Sequence, residues 1–193
     1  MQKSLKHDDI VLLGYPRSGN NYLWALIVKN FFAGEFKHAV SYHLILDEFR
    51  RDKKYICVVR NIHDALRSFF TARYMFRLNI HTFSRFAATS MKEVFDPDVG
   101  AAVRVTRGGE SEARYTGSDN FVNADMTPIE FYALHYVHHL SAAMRMKNLL
   151  MVSYDRLLRE FDQEMRRINR FLTPTCTKNS YENIEETVGY IIL

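Results

Sequence analysis

The stretch IVLLGYPRSGNNYLWALI, Ile10 to Ile27, constrains the fold more than any other part of the chain. A continuous apolar run ends in Gly14, the pattern of a buried parallel strand. A turn follows, and from Asn21 to about Phe32 the apolar residues Leu23, Leu26, Ile27 and Phe31 recur at helical spacing. Strand, glycine turn and helix N-terminus together make a nest of backbone N–H groups suited to an anion. Gly14 and Gly19 have the spacing of the glycines in a Walker A loop, but Asn20 and Asn21 stand where that loop carries Lys and Ser/Thr. The usual lysine contact and magnesium hydroxyl are missing, so a magnesium-bound triphosphate fits poorly. An anion that needs a cation and amides but no metal fits better, with Arg17 and Ser18 as side-chain donors.

The same alternation continues downstream. YICVV (55–59) and LLMVSY (149–154) read as further buried strands. Each leads into a helix, one from roughly Ile62 to Leu78 and one carrying Leu157, Leu158, Phe161, Met165, Ile168 and Phe171 on one face. PIEFYALHYVHHLSAAMRM (128–146) reads as a helix, and Glu35 to Ala39 as a short extended piece. Strands alternating with helices predict an α/β fold with a parallel sheet covered on both faces and sites at the strands' carboxyl ends. The 193 residues suit a single domain spanning 1–193, with Asp96 to Asp125 as either a lid or a flexible insertion.

At +4 the net charge is compatible with an anionic ligand but too small and scattered to indicate nucleic-acid binding. No apolar run approaches membrane-spanning length and no leader precedes the first strand, so a cytoplasmic protein is expected. Cys57 and Cys176 match no zinc spacing, and Cys57 reads as a reduced core residue. His135 and His139 stand at i, i+4 on the expected helix and invite a zinc reading, but no acidic partner or third donor lies at metal spacing; no metal is expected.

VVRNIHDALRSFF (58–70) places Arg60 at the end of a strand and Ser68 eight residues later on a helix. Taken alone, an Arg60 paired with a carboxylate and a solvated Ser68 is the simpler reading; a second phosphate held between them is the other. Two helical turns separate Asn61 from Ser68, so both reach one ligand only if the chain wraps it.

Three blocks now stand in a definite order, and together they resemble the sulfotransferases that use 3′-phosphoadenosine 5′-phosphosulfate (PAPS). YPRSGNNYL resembles that family's 5′-phosphosulfate loop, VVRNIHDALRSFF its 3′-phosphate motif, and LLMVSYDRLLREFDQEMRRINRFL its later strand and helix. The resemblance implies a P-loop NTPase-like sulfotransferase fold and transfer of a sulfuryl group from PAPS, without metal, to a hydroxyl or amine. It implies that Arg17 contacts the 5′-phosphate and bridging oxygen, that Ser18, Gly19, Asn20 and Asn21 supply loop donors, and that Tyr22 and Tyr154 flank the adenine. Arg60 and Ser68 would hold the 3′-phosphate. The general base would be His38 or His43, with His38 preferred because FKH resembles the family's Lys-Thr-His, and Lys37 would assist at the bridging oxygen.

The chain departs from the family in a short interval between loop and base and in lacking a late Arg-Lys-Gly motif. A catalytically silent protein that binds the product PAP (adenosine 3′,5′-bisphosphate), or serves as an interaction module, is the alternative. The expected partner is a small-molecule, glycan or other hydroxyl-bearing acceptor, with homo-oligomerisation left open.

Overall fold

The computed structural model describes residues 6–32, 40–43, 45–46, 48–72, 79–94, 125–173 and 180–184. Four parallel strands form one sheet: β1 (Ile10–Gly14), β2 (Val40–Tyr42), β3 (Lys54–Val59) and β4 (Leu149–Ser153), in the order β2-β1-β3-β4. Register is continuous, with Leu13 opposite both Tyr42 and Cys57, and Cys57 opposite Met151. The chain passes from β1 to β2 on one side and to β3 on the other. The strand order therefore reverses between β1 and β3, and the crevice at their carboxyl ends is where such sheets bind ligands.

The helices are α1 (Asn20–Phe31), α2 (Ile62–Thr71), α3 (Phe83–Ala88), α4 (Met91–Val94), α5 (Pro128–Arg145), α6 (Tyr154–Arg159) and α7 (Phe161–Leu172). Alternation along the strands sends Ile10, Leu12, Ile56, Val58 and Val152 to one face, against Trp24, Leu26, Leu157, Met165 and Ile168 of α1, α6 and α7. Val11, Leu13, Tyr55, Cys57 and Leu149 face the other way, toward Ala142 of α5 and Leu46. Tyr15, just past β1, joins α2, α3, α4 and Phe131 of α5 in a third cluster. The sheet is thus covered on both sides, as continuous apolar strands require. Among the described residues no helix is long and apolar enough to cross a membrane.

β1, β3, β4 and α1 match the sequence expectation within a residue, β2 was not anticipated at 40–42, and three boundaries differ. The helix expected over 62–78 ends at Thr71: its hydroxyl takes the Ser68 carbonyl at 2.7 Å, and the Ala72 N–H turns to Phe69 instead. The third strand gives up Tyr154 because Ser153 caps α6, its hydroxyl accepting from the Arg156 N–H at 3.3 Å. The helix after β4 is broken at Glu160, whose φ and ψ of −126° and 44° leave the helical region. Apolar spacing is alike on both sides of that break, so periodicity alone does not reveal it. The short helices α3 and α4 were not anticipated. The expected extended piece at 35–39 and nearly all of 96–125 lie outside the described residues.

α5 has the most complete start signal. The Thr127 hydroxyl accepts from the Glu130 N–H at 3.3 Å, the Glu130 carboxylate accepts from the Thr127 N–H at 2.8 Å, and Pro128 opens the helix. Those bonds hold the Glu130 carboxyl below the usual carboxylate range, the backbone bond from Thr127 contributing most. Thr127→Ala is expected to lower stability by about 1 kcal/mol, read as a shift in the urea unfolding midpoint with an unchanged slope.

Candidate functional site

The loop after β1 is shaped by two left-handed residues, Arg17 at φ 64° and Gly19 at φ 104°. Arg17 adopts a conformation that costs a non-glycine residue on the order of 1–2 kcal/mol, and in doing so presents an exposed side chain at the mouth of the crevice. Gly19 has no such choice. A Cβ there would stand 2.3 Å from Cδ2 of the Tyr154 ring. Gly14 is under a similar constraint, since a Cβ on it would meet the buried Asn20 side chain at 2.2 Å. Ser18 closes the turn with its N–H on the Tyr15 carbonyl at 3.0 Å. Its hydroxyl is buried and meets no hydrogen-bond partner among the described residues.

β3 delivers Arg60 to this loop. Its Nη1 donates to the Arg17 carbonyl at 3.2 Å, and its guanidinium lies over the Tyr154 ring, 4.7 Å from the centroid. The buried Nε of Arg60 has no hydrogen-bond partner among the described residues. The Arg60 carbonyl accepts from the Tyr132 hydroxyl of α5. Asn61 caps α2 through the His63 N–H, and its own N–H donates to Asp155 at 3.3 Å. α2 then places Ser68 so that its hydroxyl accepts from Arg17 Nε at 3.4 Å. Arg60 and Ser68, which the sequence leaves two helical turns apart, therefore both meet Arg17, because the reversal between β1 and β3 sets both loops on one crevice.

Tyr22 and Tyr154 are both buried, their rings edge to face at 5.7 Å, and the Tyr22 hydroxyl donates to Asn183 at 2.9 Å. Asn21 is exposed on the first turn of α1. His43 is half-buried and its Nδ1 donates to the Gly14 carbonyl at 2.8 Å, behind the loop. Lys37 and His38 lie outside the described residues.

The His pair of α5 has a neighbour that its spacing did not disclose. Cys57 of β3 lies against it, with one ligand atom each from Cys57, His135 and His139 within 4.8 Å of one another and all three residues buried. Spacing along the chain does not disclose this third donor, because the sheet brings it under the helix. Burial pushes the His139 imidazole down to about 4 and His135 well below its ordinary value, the latter also disfavoured by His139, His43 and His138. Burial likewise raises the Cys57 thiol. Tyr132 was also missed: a hydroxyl on a backbone carbonyl from a distant helix leaves no local pattern.

The family model of the sulfotransferase domain matches residues 28–190, a stretch that starts after the 15–19 turn. Among solved structures, the mouse sulfotransferase SULT7A1 complexed with PAP matches at a TM-score of 0.55 and 17% identity, over 90% of this chain and 61% of its own. That likeness concerns the fold, and the chain spans about three fifths of that structure's length. Against the curated proteins the sequence finds no significant match.

Gly19→Ala combines the left-handed backbone with the collision against Tyr154. It is expected to destabilise by about 2–3 kcal/mol, measured by thermal unfolding, and to alter the near-ultraviolet dichroism of the displaced tyrosine.

Proposed function

The chain belongs to the sulfotransferase family, and on that premise we propose that it transfers a sulfuryl group from PAPS to an acceptor hydroxyl or amine. The observation that carries the reading is the convergence of Arg17, Ser68 and Arg60 at the carboxyl ends of β1 and β3. The site also suits an anion. The Ser18 hydroxyl and Arg60 Nε are buried polar groups without partners among the described residues, and leaving such groups unsatisfied costs about 1–3 kcal/mol each. Phosphate oxygens are the acceptors that a guanidinium and a hydroxyl would take. The similar mouse sulfotransferase is complexed with PAP, which supports the same cofactor class here.

In this reading the loop residues Ser18, Gly19, Asn20 and Asn21 hold the 5′ end of PAPS, and Arg60 with Ser68 holds the 3′-phosphate. Tyr22 and Tyr154 set the adenine side. PAPS supplies an activated sulfuryl group. The acceptor oxygen bonds to sulfur as the bond from sulfur to the bridging oxygen breaks, the electron pair leaving with PAP. Arg17 stabilises the charge that grows on that oxygen, and a planar guanidinium is suited to this without a metal. Lys37 assists there. The acceptor proton goes to a histidine, for which His38 is our choice and His43 the alternative. The acceptor is a small molecule, glycan or other hydroxyl-bearing compound, and a cytoplasmic setting is part of the same proposal.

The test is calorimetric titration of PAP into the wild-type protein and into Arg60→Ala, with ATP and magnesium as the control. PAP is expected to bind, ATP to give no heat, and Arg60→Ala to weaken PAP by roughly tenfold to a hundredfold. A folded protein that ignores PAP would overturn the reading. PAP binding without transfer of radiolabelled sulfate to any acceptor in a hydroxyl and amine panel would assign the silent alternative. Loss of turnover in His38→Ala with PAP affinity kept would place the base there; the same result in His43→Ala would move it.

Arg17→Gly separates strain from function. Relief of the left-handed backbone and the added chain entropy nearly offset, so stability should stay within about 1 kcal/mol of wild type. Turnover should be lost.

A further inference from the structure

β3 and α5 meet on the face of the sheet away from α1, and three donors converge there. His135 and His139 are one helical turn apart, so both rings leave α5 on the side of the sheet, with centroids 4.2 Å apart. Cys57 rises from β3 between Leu13 and Met151 of the adjacent strands. Exposure is 0% for Cys57, 2% for His135 and 0% for His139.

Two features distinguish this cluster from ordinary packing. The Nε2 atoms of His135 and His139 are buried and have no hydrogen-bond partner among the described residues. In addition, Nδ1 of His139 faces the His135 carbonyl at 2.8 Å, and a carbonyl only accepts, so Nδ1 carries the proton and Nε2 a lone pair. A backbone carbonyl on the far nitrogen is how proteins orient a metal-ligating histidine. Two nitrogen donors and one sulfur suit a borderline-soft ion of tetrahedral habit. At usual zinc bond lengths of roughly 2.0–2.3 Å the donors would stand about 3.5 Å apart. The observed limit of 4.8 Å leaves only small side-chain rotations to close.

We propose that Cys57, His135 and His139 form a binding site for a thiophilic divalent cation, with zinc the ion taken. Three protein donors leave a fourth position for water. Coordination releases the thiol proton of Cys57 to solvent and leaves the metal's oxidation state unchanged. Such an ion ties β3 to α5 close to the point where Tyr132 of α5 holds the Arg60 carbonyl. Its role is to brace the frame of the crevice rather than to take part in any transfer.

The test uses the whole chain, purified, stripped with chelator and titrated with zinc against a chromophoric competitor. One equivalent is expected, with a rise in the unfolding temperature that grows with free zinc. Cobalt in place of zinc should give a thiolate-to-metal charge-transfer band in the near ultraviolet. Cys57→Ala keeps every histidine and Cys176, and should weaken zinc by roughly a hundredfold and abolish that band. Retention of zinc by a folded Cys57→Ala overturns the assignment, as does absence of binding by the folded wild type. Should Cys57→Ala fail to fold, X-ray absorption on the zinc-loaded wild type decides. One sulfur at about 2.3 Å with nitrogens at about 2.0–2.1 Å supports the site, and a shell without sulfur overturns it.

Discussion

The Arg60 side chain and its carbonyl are gripped from three directions: by the Arg17 backbone, by the Tyr154 ring and by the Tyr132 hydroxyl. Those partners come from the β1 loop, the start of α6 and the first half of α5. Each is delivered by a different layer of the fold, so the crevice has its shape only when the sheet is covered on both sides. The apolar alternation along β1 and β3 is the condition for this, since it sends one set of residues to α1, α6 and α7 and the other to α5.

Local chemistry was legible in the sequence where it depended on short-range rules. Continuous apolar runs ending at Gly14 and Arg60 announce buried parallel strands, and the glycines of the first loop announce a tight turn. Asn20 and Asn21 already argued against a magnesium-bound triphosphate. Helix ends were harder, because they turn on single hydrogen bonds. The Thr71 hydroxyl displacing an N–H, or Glu160 stepping out of the helical region, leaves the hydrophobic period untouched.

Contacts across the fold were not legible for a different reason. Nothing in the spacing of Tyr132, His135 and His139 points to Arg60 or Cys57. Their meeting requires knowing that α5 lies across the face of β3. The same applies to Ser68, whose distance along α2 from Asn61 argued against sharing a ligand with Arg60. The reversal of strand order removes that objection by bringing Arg17 to both.

The ring of Tyr154 beneath Gly19 has a consequence for how the protein matures. Residues 15–19 leave the ribosome before the side chain that underlies their turn, which arrives only after β4 is complete. Chains are synthesised from the N-terminus, so the nascent chain carries this turn without its floor until α6 has been made. A premature stop between β4 and α6 would leave all four described strands in the product with the loop's floor missing. The conformation of the 15–19 turn is therefore coupled to synthesis of the chain as far as α6.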